Sequence, residues 1–215
     1  MNAPSEEQQV IINYVSSGYN VIVDACAGSG KSTTILSVAK ECFNKRILQL
    51  TYNSTLRMEI KEKIEKIGLE NIIVHTFHSL AVRFYLETAH TDSMLRQIIH
   101  NNTEPRSPIP NYDIIVLDEA QDMTPLYFHF MLKFSKDMNS PFLLLVLGDY
   151  MQGLYEFKGS DTRFLTLGDK IWNTHPLLRT REFKKCTLRM SYRITQPIAD
   201  FVNKAMLGER SEEHT

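Results

Sequence analysis

The sequence predicts an α/β protein, a parallel sheet flanked by helices, and three observations predict it. Strand-like and helix-like segments alternate along the 215 residues, the order expected of βαβ units. "IIVLDEA" and "FLLLVLG" are unbroken apolar runs, as in parallel strands covered on both faces. "NVIVDACAGSGKSTTILSVAK" passes from an apolar run through a loop of small residues into a helix-like stretch.

Taken in order, strands are expected at residues 21–24, 47–51, 72–75, 114–118 and 142–147, and around 185–190. Helices are expected at residues 6–16, 31–43, 54–67, 77–87, 125–136 and 196–206. "NNTEPRSPIPNY" carries three prolines and reads as a connector. There is no repeat and no low-complexity tract.

Composition sets the bounds. A hydrophobic content of 43% and a charged content of 23% are those of a globular protein with a real core. The formal net charge of -1 gives no global nucleic-acid signal, so any such surface is local. No apolar run reaches membrane-spanning length, and Met1 is followed by polar residues, so an intracellular, cytoplasmic or nuclear, non-secreted chain is expected. Cys26, Cys42 and Cys186 are widely spaced, which disfavours a zinc site or disulfide framework.

The loop after the first strand carries the clearest chemistry. Small residues let backbone N–H groups close around phosphate oxygens, and the helix behind aims its positive end at them. In "ACAGSGKS" the first glycine of the usual GxxxxGK[ST] pattern is Ala25. Cys26, Ala27, Gly28, Ser29 and Gly30 form the cradle, with Thr33 behind it. Lys31 is placed to reach the outer phosphates, and Ser32 to bind Mg²⁺. These readings imply a nucleotide and Mg²⁺ as cofactors. "IIVLDEAQD" delivers Asp118 to the metal and Glu119 to the attacking water as general base. "VLGDYMQGLYEFKGS" leaves another apolar strand with Gln152 just beyond it, able to sense the γ-phosphate. His75 and His78 lack the companions a metal site needs.

"ACAGSGKS", "TFHSL", "DEAQD", "GDYMQGLYEFKG" and "SYRIT", in this order, resemble the UvrD/Rep group of superfamily 1 DNA helicases. The segment from "TYNSTLRMEI" to "VHTFHSLA" is most similar to the F-box DNA helicase branch or its viral relatives. The resemblance implies a RecA-like P-loop NTPase domain that binds ATP with Mg²⁺ and moves 3′ to 5′ on single-stranded DNA, or on DNA with a single-stranded tail. It implies Gln8 as the adenine reader, with Gln9 as a rival, Arg193 as an arginine finger and Tyr192 beside the base. On the DNA track it implies Tyr52, Thr76, His78, Tyr155, Phe157 and Lys158. Aromatic faces there suit a motor that ignores sequence.

Departures are visible. Thr33 and Thr55 stand where the family often has basic residues, and Lys158 where it often has arginine, losing the planar fork. The segment before "DEAQD" is too short for the large helical subdomain of many relatives. The domain is expected over residues 1–207, with a second RecA-like domain missing and residues 208–215 a polar tail. "RSEEHT" is also what a common sequencing adapter would encode. A P-loop small-molecule or nucleotide kinase, and a nucleotide-switched DNA-binding module without turnover, are the alternatives.

Overall fold

In the computed structural model, residues 3–152, 159–174, 178, 182–193 and 212–213 are described. Six parallel strands form one sheet: β1 (Asn20–Ala25), β2 (Ile47–Thr51), β3 (Ile72–Thr76), β4 (Ile114–Leu117), β5 (Leu143–Gly148) and β6 (Phe183–Leu188). Their order is β3-β2-β4-β5-β1-β6. The register pairs Thr51 with Thr76, Leu50 with Leu117, and Asp24 with both Gly148 and Thr187. The carboxyl ends of all six strands therefore share one edge, where α/β sheets place their ligands.

Alternation along the strands sends neighbouring side chains to two separate cores. On one face Val21, Val23, Ile47, Val116 and Leu145 pack under α1 (Glu6–Ser16), α2 (Lys31–Glu41) and α3 (Ser54–Ile67). On the other, Leu48, Leu50, Ile115, Leu117 and Val146 pack under five further helices. These are α4 (Phe77–Phe84), α5 (Asp92–His100), α6 (Pro125–Met138) and the short α7 (Arg163–Thr166), followed by α8 (Gly168–Trp172). Both faces are covered, which explains why the strands read as unbroken apolar runs.

Two polar residues tie elements together from inside. Asn20 is fully buried, and its Oδ1 accepts the Leu144 N–H at 2.8 Å. Asn71 Nδ2 donates to the carbonyls of Ala39, Cys42 and Lys45, satisfying the end of α2.

The expected bounds of α1, α3 and β2 agree with the structure, and other elements differ. Helix α2 stops at Glu41, two residues early, because Cys42 leaves helical geometry and turns inward. Helix α4 stops at Phe84, short of residue 87. Tyr85 breaks from it and buries its ring, its hydroxyl donating to Asp137 Oδ2 at 2.6 Å. Strand β6 begins at Phe183, earlier than expected. Helices α5, α7 and α8 are additions to the expected set, and the helix expected at 196–206 lies outside the described residues. The signal for α5 is local: Thr91 caps it by accepting the Met94 N–H, and Leu95 and Ile98 share its buried face.

Leu95 is fully buried where α5 packs on α6. Leu95→Ala is expected to cost about 2–5 kcal/mol, because a packed site collapses only partly around a deleted side chain. Urea denaturation checks it; a loss within 0.5 kcal/mol, the range usual for surface changes, would contradict this packing.

Candidate nucleotide site

The strand ends assemble one cleft. After β1 the chain turns through Gly28 and Gly30, both with φ in the left-handed region, at 75° and 85°. Each also has a close neighbour. A Cβ on Gly28 would stand 2.6 Å from Arg193 Cβ, and one on Gly30 would stand 2.8 Å from Gln8 Nε2. Gly30 caps α2 without any side-chain hydrogen bond, so the opening N–H groups of the helix remain for an anion. Ser29 Oγ is buried beside them without a partner in the structure.

Lys31 follows at the first helical position. Its Nζ lies 3.2 Å from Glu119 Oε2, and only 11% of its side chain is exposed. Glu119 comes from the end of β4 and holds a left-handed backbone (φ 54°), an uncommon conformation for a non-glycine residue. Its Oε2 also accepts from Gln121 Nε2 at 2.9 Å. Gln121 Oε1 in turn accepts the Asp149 N–H at 3.0 Å, and Asp149 Oδ2 accepts from Gln152 Nε2 at 2.7 Å. A continuous hydrogen-bonded chain therefore runs from Lys31 to Gln152.

Asp118 is 1% exposed. Its oxygens accept from Gln49 Nε2 and the Glu119 N–H, both at 3.0 Å. Burial first, and then the Glu119 charge, push its pKa up to about 7 against the opposing pull of Lys31. Burial and Glu119 likewise raise Asp122 to about 6.

The segment from Leu188 to Arg193 closes over the phosphate loop. The Tyr192 N–H donates to the Gly28 carbonyl at 3.0 Å, and Ser191 Oγ donates to the Ala27 carbonyl at 2.8 Å. Cys26 donates its N–H to the Leu188 carbonyl, and its Sγ lies 3.1 Å from the Arg189 carbonyl. Arg193 thus sits against Gly28, and the Tyr192 side chain is exposed. Gln8 is buried at the start of α1, its Oε1 accepting the Ser5 N–H and its amide nitrogen facing Gly30. The rival Gln9 is exposed and bonds Asn13 within its own helix.

The residues expected on a DNA track divide. The half-buried Tyr52 ring lies 5.2 Å from Phe77 and 5.7 Å from Tyr127, with its hydroxyl on Met123 Sδ. Thr76 Oγ1 caps α4 by accepting the Ser79 N–H. His78 Nε2 lies 3.1 Å from Asp92 Oδ1, to which the Tyr127 hydroxyl also donates. His75 bonds Ser79 Oγ instead, and burial with the nearby Arg83 and Arg57 charges lowers it to about 4. Tyr155, Phe157 and Lys158 lie outside the described residues. The structure adds Gln49, Gln121 and Tyr127 to the residues that sequence reasoning singled out. A glutamine in the middle of "ILQLT", fully buried, was the available signal for Gln49.

Residues 8–158 match the AAA_19 family, described as an AAA domain. Among solved structures, the Pif1 helicase of Candida albicans superposes with a TM-score of 0.58 at 18% identity, over 95% of this chain and 44% of that one. A structure of two coordinating Pif1 helicases at forked double-stranded DNA gives 0.58 at 17%, over 94% and 48%. The Hef helicase domain of Pyrococcus furiosus gives 0.50 at 14%, over 86% and 38%. The chain thus spans less than half the length of these proteins and shares their RecA-like P-loop NTPase fold. They do not single out a branch such as UvrD/Rep. Among the described residues no helix is long and apolar enough to cross a membrane.

Asp118 gives a signed prediction. Its carboxyl binds a proton more tightly in the folded chain than in the unfolded one, where its pKa is the ordinary 3.8. Between about 4 and 7 the folded state therefore holds the extra proton, and this group's contribution to stability falls as pH rises through that window. Asp118→Asn is expected to flatten this part of a urea-stability profile. An unchanged slope would contradict the buried, proton-retaining carboxyl.

Proposed function

This chain belongs to the AAA_19 family of AAA domains, and from that premise we propose that it is the ATP-binding half of a superfamily 1 DNA helicase or translocase. The observation that carries the reading is the 3.2 Å contact of Lys31 with Glu119, with the buried Asp118 beside it at one sheet edge. A phosphate-binding lysine and a water-activating glutamate have to meet in this way. The resemblance of "TFHSL", "GDYMQGLYEFKG" and "SYRIT" to UvrD/Rep motifs supports a 3′-to-5′ motor on single-stranded DNA over a kinase or a switch without turnover.

The residues present fit ATP with Mg²⁺. A hydroxyl (Ser32) and a carboxylate (Asp118) are hard oxygen ligands. Mg²⁺ usually needs only one or two such groups alongside phosphate and water. When bound, the ion neutralises charge between the phosphates. The open N–H groups at the start of α2 and the unpartnered Ser29 hydroxyl receive phosphate oxygens. Lys31 exchanges Glu119 for the outer phosphates. Glu119, still held by Gln121, is then free to take a proton from the attacking water. Gln152 reports the γ-phosphate state through Asp149 and Gln121 to that same glutamate. Gln8 reads the base from the buried side of the loop. Arg193, seated on Gly28, reaches the γ-phosphate, and Tyr192 flanks the base. Tyr52, Thr76, His78, Tyr155, Phe157 and Lys158 line the single strand. A second RecA-like domain supplies the other wall of the cleft, and unwinding needs the two to close.

Two substitutions separate the roles. Lys31→Ala is expected to abolish most nucleotide affinity of the chain in a titration with a fluorescent ATP analogue. Glu119→Gln keeps that affinity and loses hydrolysis in the full-length protein by about 10²–10⁴-fold, the usual worth of a general base. Wild-type turnover by Glu119→Gln would remove the proposed base.

A further inference from the structure

The opposite edge of the sheet carries a second polar groove. It lies at the amino ends of β2, β3 and β4, whose first residues Ile47, Ile72 and Ile114 are in register. Phe43, Arg46, Glu70, Ile73, Arg83 and Tyr112 are among its lining residues. Its floor is firm, since Asn71 is held by three carbonyls.

Three features are unexplained by folding. Arg46 and Arg83 are exposed, and among the described residues neither guanidinium has a carboxylate within ion-pair distance. Lys45, their neighbour, is taken by Asp113 at 3.8 Å. The Tyr112 side chain is 1% exposed, and its hydroxyl has no hydrogen-bond partner. A buried phenol without a partner is costly, and native structures seldom leave one so. Arg46 and Arg83 line the same groove as this phenol; burial pushes its pKa up while their charges pull it down. Finally, the Phe43 ring is 77% exposed, the most exposed large apolar side chain among the described residues.

We propose that this groove is a second nucleotide-unit site, in which Arg46, Arg83 and the Tyr112 hydroxyl hold a phosphate and Phe43 stacks its base. Planar guanidinium forks match phosphate oxygens in pairs. An open aromatic ring beside them takes any base by its face. An acidic peptide's side chains would offer Glu70 only like charge and no donor. A nucleotide instead offers sugar hydroxyls or ring N–H groups that donate to its carboxylate. The unit comes either from a free mononucleotide or from a single strand. The site faces away from the phosphate loop and does not depend on the reading of that loop.

The Ile73 side chain lines the groove and gives a local readout by methyl NMR of the whole chain. Thymidine 5′-monophosphate, oligo-dT, inorganic phosphate and a poly-glutamate peptide are titrated in turn. Saturable movement of the Ile73 methyl by either thymidine ligand is expected. Equal affinity per unit assigns the site to free nucleotide, and tighter binding of oligo-dT assigns it to a strand. Phe43→Ala, a surface change, should weaken binding roughly five- to hundred-fold, the range for loss of one stacked base. Arg46→Gln with Arg83→Gln should weaken it about tenfold or more, as for lost charged hydrogen bonds. Lys31→Ala should leave the Ile73 response unchanged. A silent Ile73 methyl at millimolar ligand overturns the proposal. So does equal binding of inorganic phosphate or poly-glutamate, or undiminished affinity in Phe43→Ala.

Discussion

Parallel pairing in register is the constraint from which the candidate site follows. Six strands run the same way and end at one edge, so the segments after β1, β2, β4 and β5 must emerge side by side. Lys31 and Glu119 are 88 positions apart in the chain, yet they meet because their strands are separated by only one other, β5. The two apolar cores hold that alignment from both faces. Their polar ties, Asn20 to Leu144 and Asn71 to the end of α2, fix it from within.

Charge in the cleft is held in deliberate tension. Two carboxylates next to each other, Asp118 and Glu119, share one nearby ammonium, and the more buried of them holds its proton more tightly than an ordinary aspartate. The arrangement suits a site that receives further positive charge along with its ligand. The strained backbone of Glu119 is consistent with this, since such conformations persist where surrounding structure over-determines them. The chain Glu119–Gln121–Asp149–Gln152 then links Glu119 to the following strand end through the Gln121 amide and the Asp149 N–H, and on to the Gln152 amide through the Asp149 carboxylate. Amides can exchange partners without the desolvation cost of moving a charge.

Much of this was legible in the sequence. Continuous apolar runs gave the strands, and the small-residue loop with Lys31 gave the phosphate site, because both patterns are local. What stayed hidden depends on three-dimensional neighbours. The inward turn of Tyr85 that shortens α4 answers to Asp137, 52 residues away. The clasp of Ser191 and Tyr192 on the phosphate loop is a backbone contact that leaves little mark on side-chain identity. Tyr52 stands at the strand end as expected, but its ring belongs to a cluster with Phe77 and Tyr127 whose third member no motif announces. The opposite groove was invisible because its arginines come from separate elements, and neither the burial of the Tyr112 hydroxyl nor the exposure of the Phe43 ring can be read from sequence.

The central claim is that the cleft turns over ATP in response to a nucleic-acid strand. The most direct measurement is the ATP hydrolysis rate of the full-length protein with and without oligo-dT at fixed salt. The account predicts that the strand raises turnover severalfold and that phosphate is released to water. Turnover indifferent to the strand, or transfer of the phosphoryl group to a small-molecule acceptor, would contradict it.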